Sequence, residues 1–229
     1  MLSRKPGFRI VAMNWQTPHE HRPDDELANL VTHGGAFVLT LPASAALMQT
    51  ASGHNSQSVF AACGVYCFTL VGLYAASALS HLFHDLAWRR FFRSIDQAFI
   101  FLLIAGSFTP IGVTYLSAGW WSLLLGAMWI LAILGVGLVI RMRNLTSTAR
   151  ISYGILGWLP VLALKSLYDM APRSMLAWFV AGGLFYTVGT IFLRYDRHYR
   201  YLHALWHLFV IAGSACHYAA IFISVRSFD

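Results

Sequence analysis

The sequence predicts an all-α integral membrane protein, a bundle of seven transmembrane helices. Three observations lead there. Of 229 residues, 58% are hydrophobic and only 11% charged, against about 25% charged in soluble domains, and the mean hydropathy is +0.60. The apolar residues fall into seven long runs, and a hydrocarbon core about 30 Å thick takes about 20 apolar residues per helix. The basic residues sort between alternate connections of those runs. The runs are too long and continuous for the alternating strands of a lipid-facing barrel, which leaves helices as the spanning structure that satisfies the backbone.

The expected spans are 27–50, 59–83, 95–117, 120–141, 150–168, 174–194 and 201–225. Together they make one transmembrane domain, 27–225, between an N-terminal segment, 1–26, and a short tail, 226–229. The segment MLSRKPGFRIVAMNWQTPHEHRPDDE has no long apolar stretch with a small-residue cleavage site, so the first span is expected to serve as the targeting signal. All but three of the 16 Lys and Arg residues lie before the first span (Arg4, Lys5, Arg9, Arg22) or in the even-numbered connections. Those connections carry Arg89, Arg90 and Arg93, then Arg141, Arg143 and Arg150, then Arg194, Arg197 and Arg200; the other face has Lys165, Arg173 and Arg226. The positive-inside rule then places the N-terminus in the cytoplasm and the C-terminus outside. The net charge of +7 is accounted for by this sorting, and nucleic-acid binding is not implied.

Taken in order, each span carries its own signal. The first opens with Glu26, Asn29 and His33, spaced i, i+3, i+7 on one helix face. The second holds Cys63 and Cys67, one turn apart and expected to be small buried hydrophobes, and closes with Ser80, His81 and His84. With Cys216 they make three cysteines, all in apolar runs, and imply no disulfide framework. Asp96 opens the third span. The tight connection SAGW at 117–120 joins it to the fourth, where GVGLVI permits close helix packing. Trp120, Trp121, Trp158 and Trp178 lie near span ends, as interfacial belts do. The sixth carries GGLFYTVGT, a second small-residue stretch, and the seventh opens with HALWH, which places His203 and His207 one turn apart.

Four segments therefore deliver polar groups to one layer, the expected cytoplasmic end. Polar residues at membrane depth usually face the bundle interior and mark a site. An i, i+4 histidine pair with a third histidine and an aspartate suits zinc, whose fourth position three protein ligands leave open. Such a metal would acidify water and polarise a carbonyl, the requirements for amide or ester hydrolysis. Asp96 could hold or deprotonate the water and Ser80 could hydrogen-bond it or a developing oxyanion. A purely structural zinc would use much the same ligands. Two registers compete in the second span, Ser80 with His84 and Ser77 with His81; SHLFH ends at the polar layer, which favours the first. His217 lies deeper in the seventh span, where a buried hydrogen bond is the expected role.

Three ordered motifs resemble the progestin and adipoQ receptor (PAQR) superfamily, in particular its bacterial hemolysin III branch. They are E-x-x-N-x-x-x-H at Glu26, Asn29 and His33; S-x-x-x-H with a following Asp at Ser80, His84 and Asp96; and H-x-x-x-H at His203 and His207. IDQAFIFLLIAGSFTP at 95–110 is similar to the family's third span, though Gln97 stands where relatives often have an aromatic residue or His. The resemblance covers nearly the whole chain from Glu26 onward. It implies a seven-helix bundle with Zn2+ held by His84, His203 and His207, Asp96 reaching the metal through water and Ser80 beside it, with Glu26, Asn29 and His33 in support. It also implies the bacterial inner membrane as location and a membrane lipid as substrate or ligand. The wider superfamily is similar to alkaline ceramidases, which implies a lipid amide or ester hydrolase in membrane-lipid homeostasis. A membrane-state sensor with a structural zinc is the alternative, and a haemolytic pore former ranks third.

Overall fold

The structure, a computed structural model, describes residues 23–142, 147–196 and 198–227. The basic residues Arg4, Lys5, Arg9, Arg22, Arg143 and Arg197 lie outside the described residues. Among the described residues eight α-helices follow one another: α1 (Pro23–Ser52), α2 (Gln57–Leu82), α3 (Leu86–Tyr115), α4 (Ser122–Met142), α5 (Ser147–Trp158), α6 (Leu164–Met170), α7 (Arg173–Tyr195) and α8 (Leu202–Arg226). Among the described residues no strand is present, and seven helical stretches are long and apolar enough to cross a membrane. The chain is a multi-pass membrane protein.

Two interruptions follow from local chemistry. The fifth span is not one continuous α-helix: α5 ends at Trp158 and a 3-10 turn, Leu159–Ala163, leads into α6. Pro160 sits at the start of that turn and lacks the N–H that an uninterrupted helix would need. At the end of α2, Phe83 leaves the helix with φ −81° and ψ 128°. Asp85 then caps α3, its carboxylate accepting from the N–H groups of Ala87 and Trp88. The Phe83 ring stacks on Phe92 at 5.2 Å and 5°, which secures the turn. As a result α3 begins nine residues before the expected 95.

α2 packs against α1 and α3, α7 against α8, and α8 also against α1 and α3. Of their most apolar stretches, 56% of α2, 56% of α3 and 50% of α8 are buried within the bundle, against 22% of α1, 22% of α4 and 17% of α7. α2, α3 and α8 therefore form the centre. Leu123, Ile130, Ile133 and Leu134 of α4, with Leu184 and Ile191 of α7, stay exposed as a lipid-facing surface. Tyr66, Tyr74, Phe101 and Phe108 are among the largest buried side chains. Close contact of α2 and α3 needs Gly106, where a Cβ would overlap the Thr69 side chain. This packing brings the start of α1, the end of α2, the start of α3 and the α7–α8 link to one end of the bundle.

Candidate metal centre

At that end, one ring nitrogen from each of His81, His203 and His207 lies within 4.8 Å of the other two. The rings form a triangle, with centroids 5.4 Å apart for His81 and His203, 5.3 Å for His81 and His207, and 4.6 Å for His203 and His207. The last pair sits one turn apart on α8, on a face set by the helical repeat. His81 comes from the last turn of α2.

The sequence register favouring His84 is not the one that meets the α8 pair. α2 stops at Leu82, so Ser80 and His84 are not one helical turn apart, and His84 lies exposed beyond the helix end. Ser77 and His81 keep the i, i+4 relation and are both buried. The signal that could have shown this is Asp85, a residue type favoured at helix N-caps, which caps α3 and so ends α2 before His84. Ser80 is also buried, but its hydroxyl donates to the Ser77 carbonyl. Ser77 instead meets His33, with Oγ 2.7 Å from Nδ1, and faces Asp96.

Each histidine of the triangle has an acceptor at Nδ1. His81 Nδ1 is 2.7 Å from Glu26 Oε2, and His203 Nδ1 is 2.9 Å from Asp196 Oδ2. A carboxylate oxygen accepts, so both rings donate from Nδ1. His207 Nδ1 is 3.1 Å from Thr32 Oγ1, whose hydroxyl is 2.9 Å from the Ala28 and Asn29 carbonyls. The Thr32 proton goes to the backbone, so its oxygen accepts from His207. In the neutral rings all three lone pairs are then on Nε2, the arrangement in which an outer acceptor orients a metal-binding imidazole.

This donor set fits a metal ion: three imidazole nitrogens from two helices, each ring held by an outward hydrogen bond. Imidazole suits zinc, copper, iron and nickel alike. Cys63, Cys67 and Cys216 are buried thiols and belong to no such group among the described residues.

The supporting residues of α1 surround the triangle. Glu26 is shared, accepting from His81 and pairing through Oε1 with Arg89 of α3. His33 stacks on His207 with centroids 3.5 Å apart and planes 16° apart, and its Nε2 is buried without a hydrogen-bond partner. Asn29 is buried, and its Oδ1 likewise has no partner. Asp96 on α3 faces His203 and Arg93 as well as Ser77. Thr32 and Asp196 escaped the sequence reading. Thr32 stands three residues after Asn29 and seven after Asp25, on the polar side of α1, the signal that could have found it, and Asp196 lies in a short polar link where a carboxylate is unremarked.

Residues 21–218 match the family described as Haemolysin-III related. The chain is 37% identical over 194 residues to Hemolysin-3 of Bacillus cereus, covering 83% of this chain and 87% of that protein. It is 30% identical over 192 residues to the Hemolysin-3 homolog of Bacillus subtilis (strain 168), covering 83% and 90%. It is also 27% identical over 166 residues to the human Monocyte to macrophage differentiation factor, covering 66% of each. The match spans every helix that contributes to the histidine triangle, and the chain belongs to the haemolysin-III-related family.

Proposed function

We propose that this chain is a zinc-dependent hydrolase of a lipid amide or ester bond, seated in the bacterial inner membrane with the histidine end toward the cytoplasm. The observation that carries this reading is the triangle of His81, His203 and His207 with each Nδ1 bonded outward. These three residues would hold a zinc ion and would leave it a position open to water or substrate. A zinc ion there would supply Lewis acidity toward a carbonyl and would make water a better nucleophile near neutral pH.

The chain's own residues supply the remainder. Asp96, facing His203 across the site, would take a proton from the attacking water at its carboxylate and return it to the departing amine or alkoxide as the C–N or C–O bond breaks. The Ser77 hydroxyl lies between Asp96 and His33 and orients that carboxylate. Ser80 is buried one residue before His81, and its hydroxyl donates to the Ser77 carbonyl. Exposed apolar faces on α4 and α7 keep the bundle in contact with acyl chains, so a lipid substrate approaches from the bilayer. The spread of Arg89, Arg90, Arg93 and Arg194 at the histidine end supports its cytoplasmic placement by the positive-inside rule.

Metal analysis of purified protein is expected to find about one zinc per chain. Asp96→Ala should keep that zinc and lower turnover by about 10²–10⁴-fold, the usual contribution of a general base. The readout is an untargeted lipid comparison between cells making the wild-type and the variant. Identical lipid profiles from two zinc-loaded proteins would reject the hydrolase and leave the zinc as a structural tie between α2 and α8, as the sensor reading requires.

A further inference from the structure

We propose that Asp196, in the link between α7 and α8, is a positioning residue that sets the tautomer and orientation of His203 for metal binding. The inference rests on the metal-centre reading above and adds to it a residue outside all three sequence motifs. Asp196 directly follows the last residue of α7, and its Oδ2 lies 2.9 Å from His203 Nδ1, with the carboxylate side chain 19% exposed. No other hydrogen-bond partner of His203 Nδ1 is seen among the described residues.

The link is built to bring this carboxylate back over the first turn of α8. Tyr201, immediately before α8, adopts φ 60° and ψ 0°, and it is the one non-glycine residue with positive φ among the described residues. L-residues rarely take this left-handed conformation, and where they do the surrounding structure enforces it. Arg200 beside it pairs with Asp24 and Asp25 of α1, which ties the link to the helix that supplies Glu26 and Thr32. The reversal at Tyr201 thus folds the link so that Asp196 sits against His203, seven residues later.

The consequence is chemical. An imidazole without a fixed Nδ1 partner exchanges its proton between the two nitrogens, and only the Nδ1–H form offers Nε2 to a metal. A carboxylate at Nδ1 holds that form and makes Nε2 a stronger donor. Glu26 does this for His81 and Thr32 for His207, so Asp196 completes the set. Its contact comes from the chain segment that also orients α8.

The test uses full-length protein in lipid nanodiscs, titrated with Co2+ against a competing chelator, alongside nitrogen-15 NMR of the histidine tautomers without metal. Asp196→Ala should weaken Co2+ binding about 10–100-fold, as loss of an outer partner does, and His203 should become a mixture of tautomers. Asp196→Asn keeps a carbonyl acceptor at Nδ1, so it should preserve the Nδ1–H tautomer and lose less affinity. A merely structural role would change folding without moving the tautomer signal. Unchanged His203 tautomer in both variants overturns the proposal, as does equal affinity in wild-type and Asp196→Ala. If Asp196→Ala does not fold, loss of the Nδ1–H form in Asp196→Asn overturns it as well. If wild-type protein takes up no Co2+ or Zn2+, the metal-centre reading fails instead, and the tautomer measurement still decides whether Asp196 orients His203.

Discussion

His207 and His217 lie on the same helix, are both buried, and differ in nearly everything else. His207 donates from Nδ1 to Thr32 and groups with two other histidines. His217 has Nε2 3.2 Å from the Phe179 carbonyl, so that nitrogen carries the proton, and its Nδ1 is buried without a hydrogen-bond partner. Its ring stacks on Phe179 at 4.8 Å and 20° and meets the Tyr186 ring edge-on at 5.3 Å. Burial alone therefore does not make a histidine a ligand. What separates the two is which nitrogen is spoken for and whether other donors converge on the remaining one.

The largest expected effect tests that separation directly. His207→Ala or His81→Ala should weaken metal binding by more than the roughly 100-fold upper figure for losing an outer partner, because a coordinating atom itself is gone. His84→Ala should leave metal content unchanged. Competition with a chelator measures all three. Metal loss in His84→Ala with retention in His81→Ala would restore the register that SHLFH suggests and overturn the geometry found here.

A second effect belongs to the His217 region and is one of packing. A Cβ at Gly182 would overlap the His217 ring and approach the Gly213 carbonyl to 3.0 Å. Gly182→Ala should therefore force α7 and α8 apart or turn the ring out, costing about 1–3 kcal/mol as overpacking does. A lowered unfolding midpoint in detergent with undiminished zinc per folded chain is the expected pair of results. Zinc loss at full stability would show that the two regions are not independent.

The fold was legible because membrane helices advertise themselves: length, apolarity and charge sorting are properties of whole segments. The His203 and His207 pair was legible because both residues sit within one helix, where spacing is geometry. The third histidine was not, since its identity turns on where α2 ends, and helix ends are the least certain part of any sequence reading. A three-residue shift changes the histidine that meets the α8 pair from His84 to His81. Thr32 and Asp196 were missed for a different reason: their contacts are made across 175 residues in one case and around a left-handed turn in the other, so that the helical spacing of Thr32 from Asn29 says nothing of its partner on α8.

Between the two regions Tyr74 touches both. Its ring packs edge-on against His33 at 5.0 Å, and its hydroxyl donates to Ser214 Oγ at 2.9 Å, which Tyr186 also contacts at 2.8 Å. Tyr74→Phe removes one hydrogen bond while Ser214 keeps Tyr186, so the expected cost is about 0.5–1.5 kcal/mol. Thermal unfolding with a parallel metal titration checks it. Metal affinity should not change, because the ring against His33 is retained.

The smallest effect is expected at His217 itself, and it is the sharpest test of the comparison. His217→Phe keeps an aromatic ring between Phe179 and Tyr186, and it removes both the Nε2 donor and the buried, unpartnered Nδ1. Losing one hydrogen bond costs about 1 kcal/mol, while removing an unsatisfied buried acceptor recovers a similar amount. The Phe179 carbonyl lies inside α7 and retains its place in the helical hydrogen-bond ladder. Stability in detergent should stay within about 1 kcal/mol of wild type, and metal content should be unaltered. A histidine that served the metal centre could not be replaced by phenylalanine at so little cost, so a large fall in metal affinity here would erase the distinction between the two ends of α8.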